Sequence, residues 1–198
     1  ATMEWRLKLL ELELTCKNDW DRDSEDLKRL VRDAEPLLGD MVNKDRDGQM
    51  LQLANQVALA YSNLGKFELC RKWCSRVIDV CGRNAYGPEL LLEARHHHAL
   101  SLLKEVQKRE KNDPIRADYL ARSDAEFSAA ATEAKKLKPQ SRELRQELAE
   151  LYNSWGGCLN ELKRKEALDK IQKSIKIKKQ LDDRRGLAMS YGTLGRYY

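Results

Sequence analysis

Apolar residues recur every three or four positions along nearly the whole chain. A clear example is the set Leu27, Leu30, Val31, Ala34, Leu37 and Leu38. This spacing is typical of an amphipathic helix, in which one face packs against the rest of the protein. Breaks in the pattern divide the chain into about nine helices, mostly at Gly, Pro, Asn, Asp or Ser. The sequence therefore predicts an all-α protein.

Several of these breaks contain residues that favour the start of a helix. Ser24 and Ser141 are predicted N-caps, because a serine hydroxyl can accept one of the first free backbone N–H groups. Asp113 is predicted to do the same ahead of Pro114, whose missing N–H costs nothing in the first turn. The predicted breaks lie at residues 21–24, 39–48, 65, 82–88, 112–114, 138–141, 163–165 and 182–185.

The pattern of residues 51–84 is that of two helices joined by a turn, with small or apolar residues where the helices must touch. The residues that carry it are Ala54, Ala58, Tyr61, Leu64, Gly65, Phe67, Cys70, Cys74 and Val77. This segment resembles a tetratricopeptide repeat (TPR), a helical hairpin of about 34 residues. Cys70 and Cys74 replace the alanine and aromatic residue usual in that family, which changes the packing and not the topology.

Later segments resemble the same family with altered lengths. Residues 115–139 are similar to the second helix of a repeat, with a long helix over residues 89–110 as its partner. Residues 174–186 resemble the longer repeat variety of kinesin light chains. Leu194-Gly195 lies 39 residues after Trp155-Gly156 and begins another first helix.

The resemblance implies a right-handed α-solenoid of antiparallel helix pairs, a TPR-like superhelix. It covers residues 50–198, and residues 1–49 are interpreted as N-terminal helices that form a divergent repeat or a cap. A solenoid normally ends in a helix with a polar outer face. Because the last first helix stops at Tyr198 without a second helix, we expect the chain to be a fragment of a longer array.

The composition of the chain argues against a membrane protein and against a secreted, disulfide-bonded domain. The 198 residues carry a net charge of +5, with 35% charged residues. No segment approaches the roughly 20 apolar residues of a membrane-spanning helix, so no membrane association is predicted. The five cysteines are an odd number without the framework of a secreted domain, which favours reduced thiols in a cytosolic or nuclear compartment. Of these two, a cytoplasmic location is predicted.

No constellation for catalysis is found in the sequence. It lacks the GxxxxGK[ST] phosphate loop and a nucleophile with a partnered base, so an enzyme and a cofactor are not predicted. The adjacent His96, His97 and His98 would point about 100° apart on a helix and could not all bind one metal ion. One ring is expected to pack between repeats while the others face solvent or a groove, and no metal site is predicted.

Two further groups of residues are given structural roles. Three cysteines fall on one helical face and are predicted to be core residues, namely Cys70, Cys74 and Cys81. The densest basic stretch is predicted to be a solvated outer face, because its lysines spread around the helix without interleaved aromatic residues. Its members are Lys163, Arg164, Lys165, Lys170, Lys173, Lys176, Lys178 and Lys179.

The resemblance also implies a binding surface. First helices of such arrays line a concave groove that suits a peptide or a partner's helix. Carried over to this chain, the groove residues are Asn55, Leu59, Ser62, Asn63, Arg95, His98, Asn153, Gly157, Asn160 and Arg196. Asparagine offers both a donor and an acceptor to a peptide backbone. One class of TPR proteins binds chaperones and clamps a C-terminal carboxylate with lysine and asparagine side chains on successive first helices. That clamp is not evident here, because Asn55 and Leu59 occupy the matching positions.

The sequence thus favours a non-enzymatic scaffold or adaptor that binds a protein or peptide in the groove. Two alternatives stay open. One is an RNA-associated sensor that uses the basic surface, although nucleic acid is not the favoured partner. The other is a regulatory domain of an enzyme whose catalytic domain lies outside this chain, including an intramolecular contact with such a domain.

Overall fold

The computed structural model describes residues 11–12, 24–39, 48–83, 87–137 and 141–198. These residues contain no strand, and the all-α prediction is confirmed. Eight helices have defined bounds: α1 (Glu25–Leu38), α2 (Gly48–Asn63), α3 (Phe67–Arg83), α4 (Pro88–Lys108), α5 (Ile115–Lys136), α6 (Arg142–Glu161), α7 (Glu166–Gln180) and α8 (Arg184–Tyr197). Of the predicted N-terminal segment 1–49, most lies outside the described residues, and α1 is its main described part.

The predicted caps are in place at three helix starts. The Ser24 hydroxyl accepts from the backbone N–H of Leu27 at 3.1 Å, and that of Ser141 accepts from Leu144 at 3.1 Å. The Asp113 carboxylate accepts from the N–H of Ile115 at 2.9 Å. These three predictions are confirmed, and each cap supplies a partner to a backbone donor that the helix itself leaves free.

The turn between α2 and α3 contains a residue in the left-handed backbone conformation. Gly65 has φ 72°, a conformation that glycine adopts without steric cost. Its N–H donates to the Ser62 carbonyl at 3.1 Å, and the N–H of Lys66 donates to the Tyr61 carbonyl at 2.9 Å. This pair of bonds is a Schellman motif, which satisfies the last carbonyls of α2 and reverses the chain into α3.

The α6–α7 turn has the same geometry with a different residue. Lys163 has φ 54° and donates its N–H to the Asn160 carbonyl at 2.9 Å. The next N–H, of Arg164, donates to the Leu159 carbonyl at 2.9 Å. The two hairpins therefore turn in the same way, although only the first has glycine at the left-handed position.

The left-handed position gives a test of the hairpin assignment. We expect Gly65→Val to lower the free energy of unfolding by about 1–3 kcal/mol, because a β-branched residue is strained at this φ. The reverse change at the matched position, Lys163→Gly, should leave stability unchanged or raise it slightly. Urea titration followed by circular dichroism measures both, and an unchanged midpoint for Gly65→Val would contradict the assigned turn.

The described residues form two compact units, which divide within α4 between Ser101 and Leu102. In the first unit, α1, α2 and α3 share one apolar core with the adjoining part of α4. The indole N–H of Trp73 on α3 donates to the Glu35 carboxylate on α1 at 3.1 Å. The predicted core cysteines of α3 are confirmed as buried in this cluster, namely Cys70, Cys74 and Cys81.

In the second unit, α5 packs on α6, and α7 packs on both α6 and α8. Arg116 at the start of α5 forms an ion pair with Glu161 on α6 at 3.0 Å, and it donates to the Arg109 carbonyl at 3.2 Å. The Cys158 thiol is buried within 3.6 Å of the Leu120 carbonyl, and this burial raises the pKa of Cys158 to about 12. It is therefore an unreactive core thiol at neutral pH.

None of the helices among the described residues combines the length and the apolar character needed to cross a membrane.

Candidate functional site

The α2–α3 and α6–α7 hairpins share a common register, in which equivalent residues lie 98 positions apart. Their left-handed residues, Gly65 and Lys163, coincide in this register. So do the buried small residues Ala58 and Gly156. Identical pairs include Leu53 and Leu151, Asn55 and Asn153, and Leu64 and Leu162. Helices α2 and α6 are therefore equivalent first helices, and candidate residues on one can be compared with those on the other.

In the first unit, the candidate residues differ in exposure. Asn55 is only 1% exposed, and its amide N–H donates to the Glu93 carboxylate on α4 at 3.0 Å. Ser62 and His98 are also buried, whereas the other three are half-buried: Leu59, Asn63 and Arg95. Burial of Asn55 comes from a contact between residues 38 positions apart, which no local pattern in the sequence reports.

In the second unit, the four candidate residues come together where α6 meets α8. The amide of Asn160 donates to the Arg196 carbonyl at 3.2 Å. A Cβ at Gly157 would lie 4.0 Å from the Thr193 side chain. Asn153 is half-buried one turn before Gly157, and Arg196 is exposed. We name the set Asn153, Gly157, Asn160 and Arg196 the α6–α8 patch.

The equivalent asparagines Asn55 and Asn153 share one further property. The amide oxygen of each is buried and accepts no hydrogen bond from the described residues. A buried acceptor without a donor costs about 1–3 kcal/mol. Both first helices thus hold, at the same repeat position, a buried carbonyl group without a donor, which a ligand N–H reaches only when the side chains around it move aside.

Comparison with known proteins identifies the fold of the chain. No protein-family model and no curated protein matches the sequence. Two solved structures do match: the nearly identical TPR-like repeats of a kinesin light chain from Podosopora anserina, and a form of the same repeats with one substitution. Each has a TM-score of 0.61 at 15% identity over 96% of this chain, and 86% or 87% of the other chain is covered.

This chain has the TPR-like repeat fold. The two matches cover nearly all of its length. They confirm the resemblance on which the sequence interpretation depends, including its all-α solenoid class. Helices α2–α3 and α6–α7 are then two of its helical hairpins.

The histidines of this TPR-like chain are more buried than predicted. His96, His97 and His98 are exposed by 2%, 8% and 9%. One ring was expected to pack between repeats while the others face solvent or a groove, and the part of this prediction that concerns solvent is wrong. The error arose because the sequence pattern of α4 alternates polar and apolar residues too weakly to assign a single inner face.

The basic stretch also differs from the prediction, because aromatic rings do lie against its lysines. The ammonium of Lys170 lies 4.2 Å from the centre of the Trp155 ring, and that of Lys173 lies 6.0 Å from the Tyr152 ring. Asp169 pairs with Lys173 at 2.9 Å, which lowers the pKa of this carboxyl and raises that of the lysine. The rings belong to α6, so the sequence of α7 alone could not show them.

Among the residues of the basic stretch, Lys178 differs most from the prediction of a solvated outer face. It is 1% exposed, and its ammonium donates to the Gly186 carbonyl at 3.2 Å and to the Ser190 hydroxyl at 3.1 Å. Burial lowers the pKa of Lys178, and the charges of Glu150 and Asp183 oppose that shift. The signal for this burial was present, since Lys178 follows Ile171, Ser174 and Ile175 at helical spacing.

Proposed function

We propose that this protein is a non-enzymatic, cytoplasmic interaction scaffold that binds an extended peptide segment through the first helices of its TPR-like repeats. In the second unit the contact surface is the α6–α8 patch. Its counterpart in the first unit is the equivalent face of α2. The TPR-like fold supports this proposal because stacked helical hairpins expose first-helix faces suited to extended ligands.

The observation that carries the proposal is the shared position of Asn55 and Asn153, each with a buried amide oxygen that lacks a donor among the described residues. A peptide in extended conformation offers an N–H group at every residue, in a regular order along its backbone. Once the side chains that enclose the Asn153 oxygen move aside, such an N–H would offset the cost of leaving that oxygen unsatisfied, and the Asn153 amide could in turn donate to a peptide carbonyl.

Asn153 is the better target for a test, because it is half-buried whereas Asn55 is almost completely enclosed. Around it, Gly157 leaves backbone uncovered by a side chain, and Arg196 offers an exposed cation. A guanidinium can pair with an acidic side chain or a terminal carboxylate of the ligand. We therefore expect bound peptides to carry a carboxylate near the backbone segment that contacts Asn153.

The probe is a set of peptides selected on the immobilised chain from a display library of random dodecapeptides. We expect enriched peptides to bind the chain in solution with a simple 1:1 isotherm. Asn153→Ala should weaken that binding about tenfold, the equivalent of one net hydrogen bond. Asn112→Ala, an exposed asparagine in the α4–α5 turn, is the matched control and should bind as the wild type does.

Two outcomes would refute the peptide proposal. One is that no peptide is enriched, or that Asn153→Ala binds the enriched peptides unchanged. The other is that material retained from a cytosolic extract is released by nuclease and its binding falls steeply with salt. The second result would indicate phosphate contacts and an RNA partner instead.

A further inference from the structure

Glu150 adds a negative charge to the side of α6 that forms the α6–α8 patch. It precedes Gly157 by seven residues, so the two positions lie within about 20° of each other around the helix. Gly157 faces α8, because a Cβ at this position would lie 4.0 Å from the Thr193 side chain. Glu150 is exposed and lies three residues before Asn153. A ligand in contact with Asn153 therefore passes close to the Glu150 carboxylate.

Arg196 brings a positive charge to the patch from α8, and its side chain is exposed. Its guanidinium donates to the Thr193 hydroxyl at 3.2 Å and so lies at the level of Gly157 on α6. The two helices run in the same direction, because Gly157 lies beside Thr193 and Asn160 donates to the Arg196 carbonyl at 3.2 Å. The α6 side of the patch thus carries a negative charge and the α8 side a positive one.

The two charges are offset along the helix axes. Glu150 lies about two turns before Gly157, which is about 10 Å at a rise of about 1.5 Å per residue. An extended peptide covers about the same distance in three residues, at roughly 3.3 Å each. Side chains alternate along an extended chain, so residues three positions apart point to opposite edges of the backbone. One of them faces α6 while the other faces α8.

We propose that the α6–α8 patch selects extended peptides in which a basic and an acidic residue lie three positions apart. The basic residue pairs with Glu150, the acidic residue pairs with Arg196, and the backbone between them passes Asn153. This selectivity rests on the proposed function, because it applies to peptides bound at that patch. It adds Glu150 as a residue that determines specificity, and it names the charge pattern that a ligand carries.

The peptides enriched on the immobilised chain give the first measurement of this selectivity. We expect a basic and an acidic residue three positions apart in them more often than in the unselected library. One such peptide is then synthesised in two altered forms, one with glutamate in place of its basic residue and one with the acidic residue moved by one position. Each change should weaken binding to the wild type about three- to fivefold, as expected for the loss of an exposed ion pair.

Charge reversal in the protein tests the two pairings separately. Glu150→Lys should weaken binding of the original peptide at least fivefold and should prefer the peptide in which glutamate replaces the basic residue. Arg196→Glu should likewise prefer a peptide in which lysine replaces the acidic residue. Glu110→Lys, the same charge change at an exposed site in the α4–α5 turn, is the matched control and should keep the wild-type preference. Urea midpoints check that each variant is folded.

The outcomes distinguish a wrong charge pattern from a failure of peptide binding itself. If enriched peptides bind and Asn153→Ala weakens them, but they lack the charge spacing or Glu150→Lys keeps the wild-type preference, the selectivity is overturned and the peptide site stands. Equal binding of peptides with and without the basic residue would assign selectivity to Arg196 alone and would also overturn it. If no peptide is enriched, the proposed function and the selectivity are both refuted.

Discussion

Gly156→Val is expected to lower the free energy of unfolding by about 2–3 kcal/mol, in the range found for overpacked cores. A Cβ at this position would lie 2.5 Å from the Ile171 side chain and 3.2 Å from the Ala167 carbonyl. Neither α6 nor α7 can yield locally, because the backbone of α7 is itself part of the contact. The two helices must move apart, and the apolar surface between them loses its close packing.

The matched control is Gly195→Val on α8, which has the same sequence position in its repeat but open space around the added atoms. Valine has a higher helix propensity than glycine, so stability should stay the same or rise by up to about 0.5 kcal/mol. Urea unfolding of both variants, followed by circular dichroism in the far ultraviolet, compares the two sites directly. Equal losses for the two variants would mean that the α6–α7 contact is not the close crossing described.

The helix boundaries could be predicted because their causes are local. Ser24 and Ser141 accept backbone N–H groups three residues away, so the serine and its partner lie within one short stretch of sequence. The α6–α7 turn at residues 163–165 is also predicted from the sequence, but its backbone conformation is not. Lys163 takes the left-handed conformation that Gly65 takes in the equivalent turn, and lysine gives no sequence signal for it.

The repeat positions of the candidate residues could be predicted from the sequence, but their burial and their hydrogen-bond partners could not. Asn55 and Asn153 do occupy equivalent first-helix positions, as the repeat pattern implied. Whether each amide is enclosed depends on partners far away in sequence, such as Glu93 for Asn55. The same reason explains Trp155, which lies under Lys170 of the next helix and donates to Asp124 of the previous one at 2.7 Å.

Lys178→Ala is expected to lower the free energy of unfolding by about 2–4 kcal/mol, a value typical of truncated buried side chains. The substitution empties the space filled by the lysine stem between α7 and α8. It also leaves the Gly186 carbonyl without the donor that now lies 3.2 Å away. Lys176→Ala, an exposed neighbour on the same helix, should change stability by less than about 0.5 kcal/mol. A comparable loss at both positions would contradict the burial of Lys178.

The charge of Lys178 adds a pH dependence of defined sign. Burial holds the pKa of Lys178 in the folded protein below 10.5, and the nearby carboxylates of Glu150 and Asp183 reduce that shift without reversing it. The unfolded chain, with an ordinary lysine pKa, therefore binds more protons between the two values. Stability then rises with pH across that window, and the cost of the buried charge is fully present below it.

Lys178→Met separates this effect from packing, because methionine keeps most of the buried volume and has no proton to lose. Relative to this variant, the wild type should gain stability as the pH rises toward the ordinary lysine pKa, while groups that titrate in both proteins cancel in the difference. Urea midpoints at closely spaced pH values measure the gap between the two curves. Parallel curves would show that Lys178 keeps an ordinary pKa in the folded state, and that the two oxygens it contacts stabilise its charge as well as water does.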